Sequence, residues 1–90
     1  INFNSNSMTI DRIVRALNKP YKGAIVNHNT LGEGRVIDLA VTKRKRKPHD
    51  FPGLVIGYKD NYALVCSYDN ILVLKKTSYI KKIKIGTWFC

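Results

Sequence analysis

Hydrophobic and polar positions divide the chain into one helical segment and several extended segments. Four apolar residues recur at the i, i+3, i+4, i+7 spacing that lines one face of a helix: Ile10, Ile13, Val14 and Leu17. This spacing predicts a helix over Thr9–Asn18, with Thr9 as its N-cap and Pro20 beyond its end. A helix of about ten residues is not stable alone in water. We therefore expect its apolar face to pack on another element.

From residue 24 onward the pattern changes to short runs rich in Val, Ile, Leu and Tyr, separated by Gly, Asp, Asn and Pro. Turn-forming residues at intervals of about ten residues are typical of antiparallel β structure. Asp60-Asn61 and Asp69-Asn70 suit hairpin turns, because Asp and Asn tolerate positive φ. We predict a short edge strand around Ile80–Ile85, preceded by five strands: Ala24–Asn27, Gly34–Val41, Leu54–Tyr58, Tyr62–Ser67 and Ile71–Lys75.

These elements predict a mainly β domain, in which one N-terminal helix covers an open end of a small SH3-like barrel of five to six strands. Ninety residues leave room for one core. We expect residues 9–90 to form this domain, and residues 1–8 to be disordered or foreign to it. A barrel this small is filled by its own side chains, which argues against a deep pocket for a small substrate.

The composition adds a strong positive charge to this picture. The chain has a formal net charge of +10, with 44% hydrophobic residues, a proportion that excludes an intrinsically disordered chain. The longest apolar run, Ile71–Leu74, is far too short to span a bilayer, and no signal-peptide pattern is present. Cys66 and Cys90 fit no metal-binding spacing. We expect a reducing compartment, the cytoplasm or the nucleus, and no membrane partner.

Residues 25–37, which read IVNHNTLGEGRVI, resemble the opening of Tudor-type SH3-like barrels. Such barrels are found in UvrD-like helicases and in CarD-type transcription factors, where paired glycines turn the first strand into the second. Gly32 and Gly34 occupy those places, and residues 62–80 resemble the closing strands. The resemblance covers about residues 24–83 and departs from the family pattern at the insertion Lys43–Pro52. It implies a module of the transcription, repair or translation machinery.

A second resemblance is to Sm-like RNA-binding proteins, which also place a helix before a five-stranded barrel. The stretch from Gly53 to Tyr58 is similar to their first motif. Those proteins follow the helix directly with that strand, whereas some thirty residues intervene in this chain. We therefore rank the Tudor-type resemblance first.

The basic residues suggest a polyanionic partner. Positions 43–47 hold five consecutive basic residues, which repel one another unless they are solvated or meet an anion. A second basic zone follows on the last strands at Lys75, Lys76, Lys81, Lys82 and Lys84, where lysines also protect an exposed edge from aggregation. Tyrosines near the hairpin turns could stack on unpaired bases, form a cage for a methylated lysine, or pack across strands. The candidate nucleic-acid-binding residues are Lys43, Arg44, Lys45, Arg46, Lys47, Arg35, Lys81, Lys82, Lys84, Tyr58 and Tyr62.

The sequence presents no catalytic constellation. Its acidic residues are scattered, and neither His28 nor His49 has a carboxylate or cysteine partner at useful spacing. We predict a non-catalytic module without cofactor or metal that binds DNA or RNA, with a polymerase, helicase or ribosomal protein as a further partner. Two alternatives remain open. The module could bind an acidic protein surface, or it could be a small ribonuclease that uses Arg35 or His28.

Overall fold

Five antiparallel strands and one helix make up the fold in the computed structural model, which describes residues 1–18 and 20–90. The sheet order is β1-β2-β5-β4-β3. The prediction of a mainly β domain with an N-terminal helix and five strands is confirmed. The elements are α1 (Ser7–Ala16), β1 (Ala24–His28), β2 (Gly32–Lys45), β3 (Val55–Lys59), β4 (Tyr62–Cys66) and β5 (Asn70–Thr77).

Helix α1 begins two residues before the predicted start, so Thr9 is not its N-cap. Asn6 occupies that position, and its side chain accepts the backbone N–H of Thr9 at 2.9 Å. The carboxylate of Asp69 accepts the N–H of Ser7 at 2.8 Å. The first turn is therefore capped from two directions, one of them distant in sequence, which the local pattern around Thr9 did not reveal.

The apolar face of α1 lies across the sheet, with Ile10 and Val14 buried against β2 and β5. Ile13 and Leu17 lie at the edge of this face and keep about a third of their surface exposed. The helix packs on the sheet as its periodicity predicted. Half of its apolar stripe remains accessible beside β1.

Strand β2 is longer than predicted and includes Lys43–Lys45. Its first half pairs with β1 and its second half with β5, with register shifts where it bends. Side-chain bonds hold the extension: the Thr42 hydroxyl donates to the Ile71 carbonyl at 2.7 Å, and the Asn70 amide donates to the Thr42 carbonyl at 2.9 Å. The predicted end at Val41 is wrong because these cross-strand bonds outweigh repulsion among the basic residues.

Strands β3, β4 and β5 form the predicted meander. Asp60 and Asn61 both have positive φ, at 51° and 69°, in the two-residue turn between Lys59 and Tyr62. The following turn is closed by bonds between Ser67 and Asn70. The sequence therefore located both hairpins, but the expected positive φ is found at Asp60 and Asn61 and not at Asp69 and Asn70.

The predicted sixth strand at Ile80–Ile85 is wrong. These residues form bends and a turn, and the Tyr58 hydroxyl donates to the Ile83 carbonyl at 2.6 Å, so a side chain occupies a backbone acceptor that a strand ladder would use. Isolated bridges form further on instead, between His28 and Phe89 and between Leu54 and Trp88. The last residues thus connect the two edges of the sheet.

A cluster of aromatic rings closes the core where the two ends of the chain meet. The ring centroid of Phe89 lies 5.1 Å from that of Phe3 and 5.0 Å from that of His28, and both phenylalanines are buried. The first residues therefore lie against the domain. Within residues 1–18 and 20–90, no helix has the length and apolar character needed to cross a bilayer. The main core is formed by Ile10, Val14, Val26, Val36, Val55, Val65, Leu72 and Leu74.

Candidate functional site

A groove of about 250 Å³ lies between the meander and residues 79–83. Its walls carry aromatic rings and ammonium groups, and its floor includes the nearly buried Leu74 and Ile83. We call it the tyrosine–lysine groove, defined by Tyr58, Tyr62, Tyr79, Lys75, Lys81 and Lys82. It brings together Tyr58, Tyr62, Lys81 and Lys82, which the sequence had singled out from separate segments.

Two of the tyrosine rings in the groove are fixed by their hydroxyl groups. Tyr58 donates to the Ile83 carbonyl at 2.6 Å, and Tyr79 donates to the Gly32 carbonyl at 2.7 Å. Burial raises the pKa of Tyr79, so its hydroxyl stays protonated as a donor at neutral pH. The Nζ atom of Lys82 lies 4.5 Å from the centroid of the Tyr58 ring, a cation–π contact. The groove is therefore organised before any ligand enters.

The five basic residues at 43–47 do not form the predicted loop. Lys43–Lys45 belong to β2, and only Arg46 and Lys47 follow it. The Arg46 guanidinium donates to the carbonyls of Tyr68, at 2.8 Å, and Asp50, at 3.1 Å. Arg46 therefore connects the segment after β2 to the β4–β5 turn by a hydrogen bond. The sequence analysis did not predict this structural role. The exposed side chains of the run are Lys43, Arg44, Lys45 and Lys47.

The two basic zones meet at one place on the surface. A second depression, beside the turn between β3 and β4, is lined by Lys43 and Lys59 and shares Tyr62 and Lys75 with the tyrosine–lysine groove. Lys84 lines a third depression with Thr87, and this depression shares Lys81 and Lys82 with the tyrosine–lysine groove. The structure thus joins Lys43 to the groove through Tyr62 and Lys75, and Lys84 through Lys81 and Lys82.

Arg35 has a structural partner within the fold. Its guanidinium donates to the Gly23 carbonyl at 3.1 Å, and its backbone N–H donates to the Ser78 hydroxyl at 2.8 Å. It lines an apolar depression near Ile1, on surface that shares no lining residue with the tyrosine–lysine groove. The structure does not bring Arg35 together with the other candidate residues.

His28 is buried, and its ring is fully used inside the fold. Its Nδ1 atom accepts the N–H groups of Thr30 and Leu31 at 3.2 and 3.1 Å, so Nε2 carries the proton and donates to the Thr87 hydroxyl at 2.8 Å. Burial lowers the pKa of His28 and favours this neutral form. The imidazole thus connects the turn after β1 to the C-terminal segment by hydrogen bonds. This arrangement leaves neither ring nitrogen free for acid–base chemistry.

The remaining reactive groups form no centre in the described part of the chain. Residues 1–18 and 20–90 contain no group of three or more His, Cys, Asp or Glu side chains placed to hold a metal ion. Cys66 is buried, and desolvation, with a further contribution from Asp50, raises its thiol pKa to about 11. A thiol of this kind is protonated and unreactive at neutral pH.

Several groove residues were absent from the candidate set, among them Lys75, Thr77 and Tyr79. Lys75 was recognised as basic but read as an ordinary edge lysine, and Tyr79 was assigned only to a closing strand. The signal available was the glycine at position 34. A Cβ atom there would overlap the Tyr79 ring, so this ring needs a residue without a side chain beneath it.

Comparison with known protein families decides the relationship. The sequence model described as formyl transferase, C-terminal domain, matches residues 1–90. The chain belongs to this family of formyl transferase C-terminal domains. Among curated proteins, none matches the sequence. The family match covers every described element of this formyl transferase C-terminal domain, from the residues before α1 to the C-terminal segment.

This membership corrects two predictions. The resemblance to Tudor-type domains of UvrD-like helicases and CarD-type factors is wrong as a family assignment, because the formyl transferase family covers the whole chain. The His-x-x-hydrophobic-Gly-x-Gly string marks a β turn that unrelated small β folds can share. The predicted function, a nucleic-acid-binding module of transcription, repair or translation, is also wrong, since the family links the chain to formyltransferases. The roles of the individual site residues stay predictions.

Proposed function

We propose that the chain is a non-catalytic domain of a formyltransferase and that it serves the enzyme by docking on the domain that performs formyl transfer. The family match over residues 1–90 supports the link to this enzyme class. The hydrogen-bonded ring of His28 and the raised pKa of the Cys66 thiol favour a non-catalytic role, since neither group is in a reactive state.

The observation that carries the docking role is an exposed apolar patch beside the end of α1. The exposed residues are Ile13 on the helix, Leu17 at its C-cap, Tyr21 after it and Ile25 on β1, and their exposed fractions range from 36% to 63%. They line a shallow depression of about 610 Å³ with Pro20 and Ala24. We call these side chains the apolar patch. Contiguous apolar surface of this kind is typical of a face that another protein surface covers.

The family match favours the rest of the same enzyme as the occupant, because the family is described as the C-terminal domain of formyl transferases. Ile1 lines the apolar patch, and its backbone nitrogen donates to the Ile25 carbonyl at 2.7 Å. Within one polypeptide, the two domains would be tethered to each other at an effective concentration near millimolar. Lys22 at the rim fits an acidic group on the docked surface.

The test uses a formyltransferase that carries this chain as its C-terminal domain. Ile25→Asp places a charge in the apolar patch, and Ile85→Asp is the matched control, because Ile85 is 57% exposed and lies outside the patch. We expect Ile25→Asp to separate the domains, with a larger radius of gyration in small-angle scattering and at least a tenfold loss of formyl transfer. The Ile85→Asp enzyme should match the unaltered one.

Two results would contradict the proposal. One is an Ile25→Asp enzyme as compact and active as the control, and the other is formyl transfer by the isolated 90-residue chain. The first result would contradict docking at the apolar patch, and the second would contradict the non-catalytic role.

A further inference from the structure

We propose that the tyrosine–lysine groove binds a small organic anion that carries an aromatic ring, with a phosphate or carboxylate as its charged group. This inference is separate from the docking role, because the groove and the apolar patch share no lining residue. It rests on the charge, the ring geometry and the size of the groove.

The charge of the groove is uncompensated. Lys75, Lys81 and Lys82 line it, and no Asp or Glu does. Within residues 1–18 and 20–90, the ion pairs join Asp11 to Arg15 and His49 to Asp50, so none of these lysines is paired with a carboxylate. Three ammonium groups around one depression repel one another, and an anion between them relieves that repulsion.

The aromatic walls favour a ligand with a flat apolar part. The hydroxyl bonds of Tyr58 and Tyr79 fix both rings, so little conformational freedom is lost when a ligand stacks on them. The apolar side chains of Leu74 and Ile83 lie between the walls. A bare inorganic anion would leave the tyrosine rings uncovered, whereas a ligand ring would stack on them.

Lys82 connects the two kinds of recognition. Its ammonium group lies over the Tyr58 ring, 4.5 Å from the centroid. An anionic group at the end of a stacked ring would meet an ammonium already positioned by the cation–π contact. The volume of about 250 Å³ lies just below the range of drug-sized sites, which limits the ligand to about one ring and its charged substituent.

The proposal is tested by titrating the isotope-labelled chain at low salt with four probes and following its amide NMR signals. Phenyl phosphate and benzoate carry both parts of the expected ligand, inorganic phosphate carries only the charge, and benzyl alcohol carries only the ring. We expect saturable shifts at Tyr58, Ala63, Leu74 and Lys82 with one or both of the first two probes. Inorganic phosphate and benzyl alcohol should bind about tenfold or more weakly. The stronger of the first two probes identifies phosphate or carboxylate as the preferred group.

A matched pair of variants separates a specific site from general positive charge. Lys82→Gln and Lys47→Gln remove the same charge from exposed positions, one inside the groove and one outside it. We expect Lys82→Gln to weaken phenyl phosphate or benzoate about tenfold, as for one lost charge-assisted hydrogen bond, and Lys47→Gln to change affinity less than about twofold.

Tyr58→Phe keeps the ring but removes the bond to Ile83, and should weaken the same probe severalfold. The proposal is overturned if phenyl phosphate and benzoate bind no more tightly than inorganic phosphate. Equal weakening by Lys82→Gln and Lys47→Gln, or shifts that centre on residues 43–47, would also overturn it. None of these results bears on docking at the apolar patch, so the two proposals fail independently.

Discussion

Asp69 fastens the N-terminus of α1 to the β4–β5 turn, and its replacement by Asn should destabilise the whole domain. The carboxylate accepts the Ser7 backbone N–H at 2.8 Å and the Ser67 hydroxyl at 3.0 Å. It also lies at the positive end of the helix macrodipole. Desolvation raises the pKa of Asp69, but the hydrogen bonds from Ser7 and Ser67 outweigh it and hold the pKa below its usual value.

The size of the effect follows from these contacts. Asp69→Asn keeps the oxygen that accepts the Ser7 and Ser67 bonds but removes the negative charge, which is worth about 0.3–1 kcal/mol at the macrodipole and strengthens both bonds, so it should cost about 1–1.5 kcal/mol. For a ninety-residue domain this lowers Tm by about 5–10 °C. Asp38→Asn is the matched control, because Asp38 is exposed and its loss raises the net charge equally.

The sign of the pH dependence provides a second readout. Because the folded-state pKa of Asp69 is depressed, its contribution is complete above the unfolded value near 3.8 and is lost as pH falls through the folded value. Thermal melts from pH 6 to pH 2.5 should show this loss in the unaltered chain and in Asp38→Asn, and less of it in Asp69→Asn. Equal Tm values for the two variants at pH 7 would refute the reasoning.

Three further predictions concern buried groups. Burial depresses the pKa of His28, so its contribution to the free energy of unfolding is complete above pH 6.5. This contribution falls as pH drops toward the folded-state pKa, at up to about 1.4 kcal/mol per pH unit. His28→Asn should therefore reduce the pH dependence of the denaturation midpoint between pH 5 and 7. A thiol reagent at pH 7.5 should label exposed Cys90 quickly and buried Cys66 only on unfolding, as peptide mass spectrometry would show. Gly34→Ala should cost about 1–3 kcal/mol in urea unfolding, because its Cβ overlaps the Tyr79 ring; unchanged stability would contradict that contact.

Local patterns were sufficient for most elements of the fold. The 3.6-residue spacing of Ile10 and Val14 located the helix, and Asp60-Asn61 located a hairpin, because these features depend on neighbours in sequence. Boundaries were less accurate where a distant partner decides them. Asp69 helps set the start of α1, and the bonds of Thr42 and Asn70 extend β2 by four residues.

The candidate site shows the same division. Lys81, Lys82, Tyr58 and Tyr62 were identified from residue type, but composition could not show that they line one groove with Tyr79. Arg35 and Arg46 were given to a ligand because a guanidinium in sequence looks available. In the fold each donates to backbone carbonyls, at Gly23 and at Tyr68.

The sequence by itself determined the mainly β character, the single helix and the excess of positive charge, since each follows from residue type and local spacing. The match of the formyl transferase C-terminal domain family to the whole chain corrected what the short glycine string had suggested. Only the tertiary structure decided which charges are free to meet a ligand. Strand pairing and chain reversal place residues from β3, β4, β5 and the segment 79–83 around one groove, and no sequence period records distances between such segments.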